Sequence, residues 1–193
     1  MKQYFPKKFG QLLFVFVAFF LGSLTFHFGV QVLQAETKKE KVSAKSTAEL
    51  YEEQFQKTSF ENIDKLKRKL TDFKSPIVIV NFWATWCIPC MEELPSMVKL
   101  SQKFSRNELT IVAFNSDEAD QFKNIQKTIK RFGINKDHME IVPDINASIT
   151  DRFNISAIPV TIIFQHGKVV QVNNGPVDFN AEELNLKIKK WLK

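Results

Sequence analysis

The sequence has few cysteines and few histidines. Only two of its 193 residues are cysteine, Cys87 and Cys90, which excludes a scaffold of several disulfides and a zinc site of four cysteines. The three histidines are scattered and lack the paired spacing of zinc ligands. A c-type haem attachment needs a histidine directly after the second cysteine, and position 91 is methionine. The sulfur atoms must therefore act as one pair.

Acidic residues are absent from the start of the chain, where Glu36 is the first. Three lysines at positions 2, 7 and 8 account for half of the net charge of +6, so the remainder carries 24 basic and 21 acidic residues. Because these alternate instead of clustering, a nucleic-acid-binding surface is not indicated. The hydrophobic share of 44% and charged share of 25% are ordinary for a folded protein with one domain.

Charged residues are also absent between Lys8 and Glu36, and the 19 residues from Leu12 to Val30 are largely apolar. A helix of that length, at about 1.5 Å per residue, just spans a hydrocarbon core of about 30 Å. This apolar run predicts that residues 1–35 form an uncleaved membrane anchor. The alternative is a cleaved signal peptide, although its cleavage site would require a small residue where Leu33 stands.

A polar, lysine-rich stretch at residues 36–50 follows the predicted anchor, and its composition predicts a tether between the anchor and the domain. Lysines lie on both sides of the anchor in nearly equal number, so the distribution of positive charge does not indicate its orientation in the membrane. A short N-terminal tail before a long domain is typical of a signal-anchor with an exported domain. We therefore expect residues 51–193 to form one domain on the extracytoplasmic face of the membrane.

The pattern of apolar residues in the domain predicts alternating strands and helices. Apolar residues at 63, 66 and 70 predict a helix over residues 61–73, and the run at 77–82 predicts a strand buried on both faces. Further strands are predicted at 109–114, 141–142, 160–164 and 169–172, and further helices at 87–104, 121–132, 147–153 and 181–192. This order predicts an α/β fold with a mixed sheet covered by helices on both faces.

Cys87 and Cys90 enclose Ile88 and Pro89, between a buried strand and the start of a helix. Two cysteines three apart on a helix face the same way and can close a small disulfide ring. The helix N-terminus stabilises the thiolate of the first, which predicts Cys87 as the nucleophile and Cys90 as the resolving thiol. A purely structural disulfide would close too short a loop to stabilise much, so redox chemistry is favoured.

Two stretches of the sequence carry a resemblance to a known family: NFWATWCIPC at residues 81–90, followed by Glu93 and Pro95, and AIPVT at residues 157–161. They resemble the active-site stretch and the cis-proline loop of the thioredoxin-like family, and within it of the membrane-tethered reductases of the TlpA and ResA type. Cytosolic thioredoxins carry a buried aspartate where this chain has Asn81. The family often has a β-hairpin before the central strand, where this sequence predicts a helix.

The resemblance implies a thioredoxin fold with a cis Ile158–Pro159 bond beside the cysteines. It implies that Trp86, Pro89, Ile158 and Pro159 contact substrate and that Glu93 tunes the cysteine pair and passes protons. The alternative for Glu93 is an acid that stabilises an early helix turn. No cofactor is expected besides the Cys87/Cys90 disulfide, and no metal.

These features predict a thiol-disulfide oxidoreductase that reduces disulfides of extracytoplasmic proteins. Its implied partners are those proteins, with apocytochrome c as one candidate, and a membrane electron donor that re-reduces the pair. Two alternatives stay open: a disulfide-forming oxidant of the same fold, and a peptide-binding assembly protein with incidental cysteines. A peroxidase is disfavoured, because the CxxC pair is not accompanied by a peroxide-activating constellation.

Overall fold

The computed structural model describes residues 46–118 and 122–193. The predicted anchor, residues 1–35, and the predicted tether as far as residue 45 lie outside the described residues. Within the part of the chain that is described, no helix combines the length and the apolar character needed to cross a membrane.

The first described element is helix α1, Thr47–Lys57. It begins at a capping box: the Ser46 hydroxyl accepts from the Glu49 backbone N–H at 3.2 Å, and the Glu49 carboxylate accepts from the Ser46 N–H at 2.9 Å. Tyr51 and Phe55, four residues apart, are buried on one face. Residues 47–50 are thus helical, where the sequence indicated the end of a tether.

The predicted helix over residues 61–73 is wrong. The chain instead forms a β-hairpin of β1, Ser59–Glu61, and antiparallel β2, Lys67–Lys69, followed by a short 3-10 helix, Leu70–Asp72. The Asn62 side-chain carbonyl accepts from the backbone N–H groups of Asp64 and Leu66, both at 3.0 Å, and thereby closes the turn. Leu66, one of the residues that suggested an apolar helix face, is half exposed.

A five-stranded mixed sheet forms the centre of the domain, in the order β5-β4-β3-β6-β7. Strands β3, β4 and β5 are parallel, and β6 and β7 are antiparallel to their neighbours. The strand bounds are β3, Ile77–Trp83; β4, Leu109–Asn115; β5, Met139–Pro143; β6, Val160–Gln165; and β7, Lys168–Asn174.

Helices cover both faces of this sheet, as predicted. The helix bounds are α2, Ile88–Lys103; α3, Phe122–Phe132; α4, Ser148–Arg152; and α5, Glu182–Trp191. Helices α2, α3 and α5 pack with one set of strand side chains, including Ile79 and Ile111. Helices α1 and α4 and the hairpin pack with the other set, including Val80 and Val112. The two apolar layers hold the carboxyl ends of β3 and β4 rigidly in register at Trp83 and Asn115.

Candidate active site

The cysteine pair lies where β3 ends and α2 begins. Cys87 is the N-cap of α2, and its backbone N–H donates to the Ala84 carbonyl at 3.2 Å. The two sulfur atoms form a disulfide with an S–S distance of 2.01 Å. The Cys90 backbone N–H points at the Cys87 sulfur at 3.3 Å, a contact that would stabilise a thiolate there once the disulfide is reduced.

The disulfide is shielded, but its sequence neighbours are not. Cys87 is 5% exposed and Cys90 is 1% exposed, whereas Trp86 and Ile88 are 61% and 72% exposed. Pro89 is half-buried in the first turn of α2. Large exposed apolar side chains around a reactive group are typical of a docking surface. This arrangement is compatible with the predicted contact roles of Trp86 and Pro89, which stay predictions.

The Ile158–Pro159 peptide bond is cis, as the resemblance implies. The Ile158 carbonyl oxygen lies 3.9 Å from the Cys87 sulfur, so the loop before β6 and the start of α2 meet at the disulfide. The Pro159 carbonyl accepts from the Gly175 N–H at 2.9 Å, and Pro159 is buried. Residues 154–160 line an open groove of about 440 Å³ beside these atoms.

Glu93 is buried in the middle of this region, with 4% exposure. One carboxylate oxygen accepts from the Asn81 side-chain amide at 2.9 Å and the other from the Val177 backbone N–H at 2.8 Å. The same Asn81 amide donates to the Thr161 hydroxyl at 3.0 Å, across the β3–β6 pair. Burial raises the pKa of Glu93, while the two hydrogen bonds act in the opposite direction.

Two features of Glu93 bear on its predicted role, its position relative to Cys90 and the lack of a nearby cation among the described residues. It follows Cys90 by three residues on α2, a spacing that puts the two side chains on adjacent positions of one helix face. Among the described residues, no cation lies within ion-pair distance of its carboxylate. The carboxylate is therefore buried with neutral donors alone, a setting in which proton uptake is easy.

One residue of the site was missed by sequence reasoning, the buried Asp117. Its two carboxylate oxygens accept from the backbone N–H and the hydroxyl of Thr85, each at 2.7 Å. Asp117 thereby fixes the loop that leads from β3 into the cysteine pair. A signal was present, because Asp117 comes two residues after β4, and the carboxyl ends of neighbouring parallel strands meet at one edge.

The described residues contain no group of three or more His, Cys, Asp or Glu side chains placed to hold a metal ion. One histidine, His138, has its Nδ1 atom 3.1 Å from the Ser101 carbonyl, away from the cysteine pair. The candidate reactive groups of the site are therefore the Cys87–Cys90 disulfide and the buried carboxylate of Glu93.

Comparison with known proteins places the fold and the family. The thiol-disulfide oxidoreductase ResA of Halalkalibacterium halodurans is 32% identical over 108 residues, which cover 55% of this chain and 58% of that protein. The protein of the same name from Bacillus subtilis is 33% identical over the same length, with the same coverage. The chain thus spans less than two thirds of the length of these relatives.

A solved structure supports the same assignment. The thiol:disulfide interchange protein of the thioredoxin family from Chlorobium tepidum is 25% identical and has a TM-score of 0.57, over 70% of this chain and 93% of that chain. This similarity confirms the predicted thioredoxin-like α/β fold. The sequence model of the AhpC/TSA family matches residues 51–172, which include the cysteine pair and the cis-proline loop. The chain therefore belongs to the AhpC/TSA family of thioredoxin-like proteins, and it is close to thiol-disulfide oxidoreductases of the ResA type.

Proposed function

We propose that this protein is a thiol-disulfide oxidoreductase that reduces disulfides in partner proteins. The observation that carries the proposal is the Cys87–Cys90 disulfide at the N-terminus of α2, with the Ile158 carbonyl oxygen 3.9 Å from Cys87. Helix N-termini favour a thiolate, and a nearby backbone carbonyl can pair with an extended partner chain.

The reaction begins with the reduced dithiol. The Cys87 thiolate attacks one sulfur of the partner disulfide, whose S–S bond breaks as the Cys87–partner bond forms. The released partner sulfur takes up a proton. Cys90 then loses its proton, and its thiolate attacks the Cys87 sulfur; the Cys87–partner bond breaks, and the second partner sulfur leaves as a thiolate that takes up a proton. In total, two electrons and two protons pass to the partner, and the Cys87–Cys90 disulfide is left.

Glu93 is the proposed acceptor of the proton that Cys90 loses. Its position one helical turn from Cys90 and its raised pKa support this role, because a carboxylate with a pKa closer to that of a thiol is a better base for it. The hydrogen bonds from Asn81 and Val177 hold the carboxylate in place during the transfer.

The partner chain is proposed to lie across Trp86, Pro89, Ile158 and Pro159. Trp86 offers an exposed apolar surface, and the groove along residues 154–160 accommodates an extended segment. Pro159 is buried, so its part is to hold the Ile158 carbonyl beside Cys87, while the carbonyl itself faces the partner.

The cellular setting is proposed from the predicted anchor and from the resemblance to tethered reductases. The domain acts outside the cytoplasmic membrane, held by residues 1–35, and a membrane electron donor re-reduces the pair. Apocytochrome c is one candidate among the disulfide-containing partners.

The test is covalent trapping of partners. A Cys90→Ser variant should accumulate mixed disulfides through Cys87, visible on non-reducing denaturing gels and removed by reductant. The matched Cys87→Ser variant should trap none. Capture that persists in Cys87→Ser under denaturing conditions would favour the alternative of a peptide-binding protein with incidental cysteines.

The direction of electron flow is tested separately, by equilibrating the Cys87/Cys90 pair with glutathione. A reductase requires a potential near or below that of the glutathione couple. A potential well above it would favour the disulfide-forming oxidant.

A further inference from the structure

A second groove lies beside the cysteine pair, between the start of α2 and helix α3. It has a volume of about 430 Å³. Trp86 and Met91 give it apolar lining, and Lys127 and Arg131 give it basic lining. Trp86 directly precedes Cys87 in the chain. A partner segment bound in this groove therefore lies beside the reacting sulfur, and it is close in the partner's sequence to the cysteine under attack.

The two basic residues of this groove lack a partner carboxylate among the described residues: Asp117, which is hydrogen-bonded to the lining residue Thr85, is buried and forms no ion pair with them. Lys127 and Arg131 are four residues apart on α3, so they lie on one side of the helix, and both are exposed. No carboxylate of the described residues forms an ion pair with either. Residues 122–136 contain five basic residues and no acidic one. The acidic residue closest to the groove in the sequence, Glu92, is exposed but does not line it.

Arg131 and Lys127 offer the donors and the charge that a carboxylate binds. The guanidinium carbon of Arg131 lies 5.1 Å from the centre of the Phe132 ring, a contact that restricts where the side chain can go. A guanidinium presents parallel N–H donors that match both oxygens of a carboxylate, and Lys127 adds a second positive charge beside it.

We infer that this groove binds an acidic side chain of the partner polypeptide, one to three residues from the cysteine under attack. The inference rests on the proposed function and narrows its substrate class. The carboxylate pairs with Arg131 and Lys127, and the neighbouring part of the partner chain packs against Trp86 and Met91. The groove thus selects disulfides that have an acidic neighbour.

The experiment uses three peptides that carry the same disulfide and differ at one position near it, with Glu, Gln or Lys. Each second-order rate of reduction by the dithiol protein is divided by the rate with dithiothreitol, which corrects for the intrinsic reactivity of the peptide. We expect the corrected rate for the Glu peptide to exceed that for the Gln peptide about fivefold at low ionic strength, and the Lys peptide to be slowest. Added salt should reduce the preference.

Charge-reversal variants locate the effect. Lys127→Glu and Arg131→Glu should each remove the preference for the Glu peptide. Lys130→Glu is the matched control, because Lys130 is exposed on the same helix, undergoes the same change of charge and does not line the groove. It should retain most of the preference. Equal loss in all three variants would overturn the inference, since it would indicate net charge alone.

An uncharged substrate, 2-hydroxyethyl disulfide, separates this inference from the proposed function. Wild type and all three variants should reduce it equally. If wild type reduces neither this substrate nor any of the three peptides, the proposed function fails and the inference with it. If wild type reduces it but treats the Glu and Gln peptides alike, the inference alone fails. Binding to anionic phospholipid vesicles that is lost in Lys130→Glu as in Lys127→Glu, without a peptide preference, would assign the basic helix to a lipid surface and overturn the inference.

Discussion

Two glutamates of this domain are almost equally buried, yet their surroundings differ. Glu140 on β5 is 3% exposed, and Glu93 on α2 is 4% exposed. Glu140 accepts from the Asn62 amide at 2.7 Å, is hydrogen-bonded by Arg106 and lies 3.5 Å from the Arg68 Nε atom. Glu93 has two neutral donors and no cation among the described residues. The two glutamates are therefore buried to nearly the same extent, but only the charge of Glu140 is compensated by cations.

The difference supports a structural role for Glu140 and the proposed role of Glu93 as a proton acceptor. Glu140 joins three segments, since Asn62 and Arg68 belong to the hairpin and Arg106 precedes β4. Its negative charge is compensated by the guanidinium groups of Arg68 and Arg106. The uncompensated carboxylate of Glu93 has a raised pKa, so it can gain and lose a proton at lower cost. Of two buried acids, the one without a cation is the candidate for proton transfer.

The largest effect is expected from Glu140→Ala. The change removes the acceptor of the Asn62 amide and of one Arg106 donor, and the negative charge beside Arg68, so the free energy of unfolding should fall by about 2 to 3 kcal/mol, below the value for a fully buried pair. The discount applies because the arginine side chains are about one-third exposed, at 35% and 34%. Urea unfolding measures the loss. Disulfide reduction per folded molecule should stay unchanged; a parallel loss of activity would break the distinction between the two glutamates.

Glu93→Gln should give the opposite result. Resolution of the mixed disulfide by Cys90 should slow about tenfold, which is less than the loss of roughly 10²- to 10⁴-fold typical for a general base, because a thiol ionises readily by itself. In wild type, the rate should rise with pH through the raised pKa of Glu93, and the variant should lack this rise. Stopped-flow release of a peptide from Cys87 measures both. A variant that retains the wild-type pH profile would reduce Glu93 to a structural residue.

The pH dependence of stability offers a smaller effect. Because burial raises the pKa of Glu93, the folded protein binds more protons than the unfolded chain between the ordinary value of 4.5 and the raised one. The free energy of unfolding should therefore fall as pH rises through that window. Urea unfolding of the oxidised protein at several pH values should show a steeper fall in wild type than in Glu93→Gln. Equal slopes would contradict the raised pKa.

The smallest effect is expected from Arg68→Ala. Its Nε atom lies 3.5 Å from the Glu140 carboxylate and has no hydrogen-bond partner, so the variant should lose about 0.5 kcal/mol or less. Arg106→Ala should lose more, because Arg106 also donates to the Asp137 carbonyl. Thermal unfolding of the two variants under one condition ranks them. The reverse order would show that the hairpin depends on Arg68 instead.

Much of the fold was predictable because its signals are local. The apolar run before Cys87 indicates a buried strand, and the apolar residues of α3 and α5 recur at helical spacing. The order of these elements along the chain then indicates a mixed sheet. The hairpin was not predictable in this way. Residues 63, 66 and 70 have helical spacing, but Phe60 instead packs edge-on against Phe114 at 5.6 Å, and Asn62 pairs with Glu140, 78 residues away. Distant contacts overrode a local pattern.

The sequence by itself determined the chemistry of this protein: one pair of thiols, three residues apart, at the start of a helix that follows a buried strand. The tertiary structure decided the surroundings that the pair works in. It brought the Val177 N–H to the Glu93 carboxylate, 84 residues away in the sequence, to which it donates a hydrogen bond. It likewise brought the Asp117 carboxylate to the Thr85 N–H, 32 residues away, from which it accepts one. The reason is physical, because periodicity records which side chains are apolar, whereas the partners of a buried polar group are chosen by how the whole chain packs.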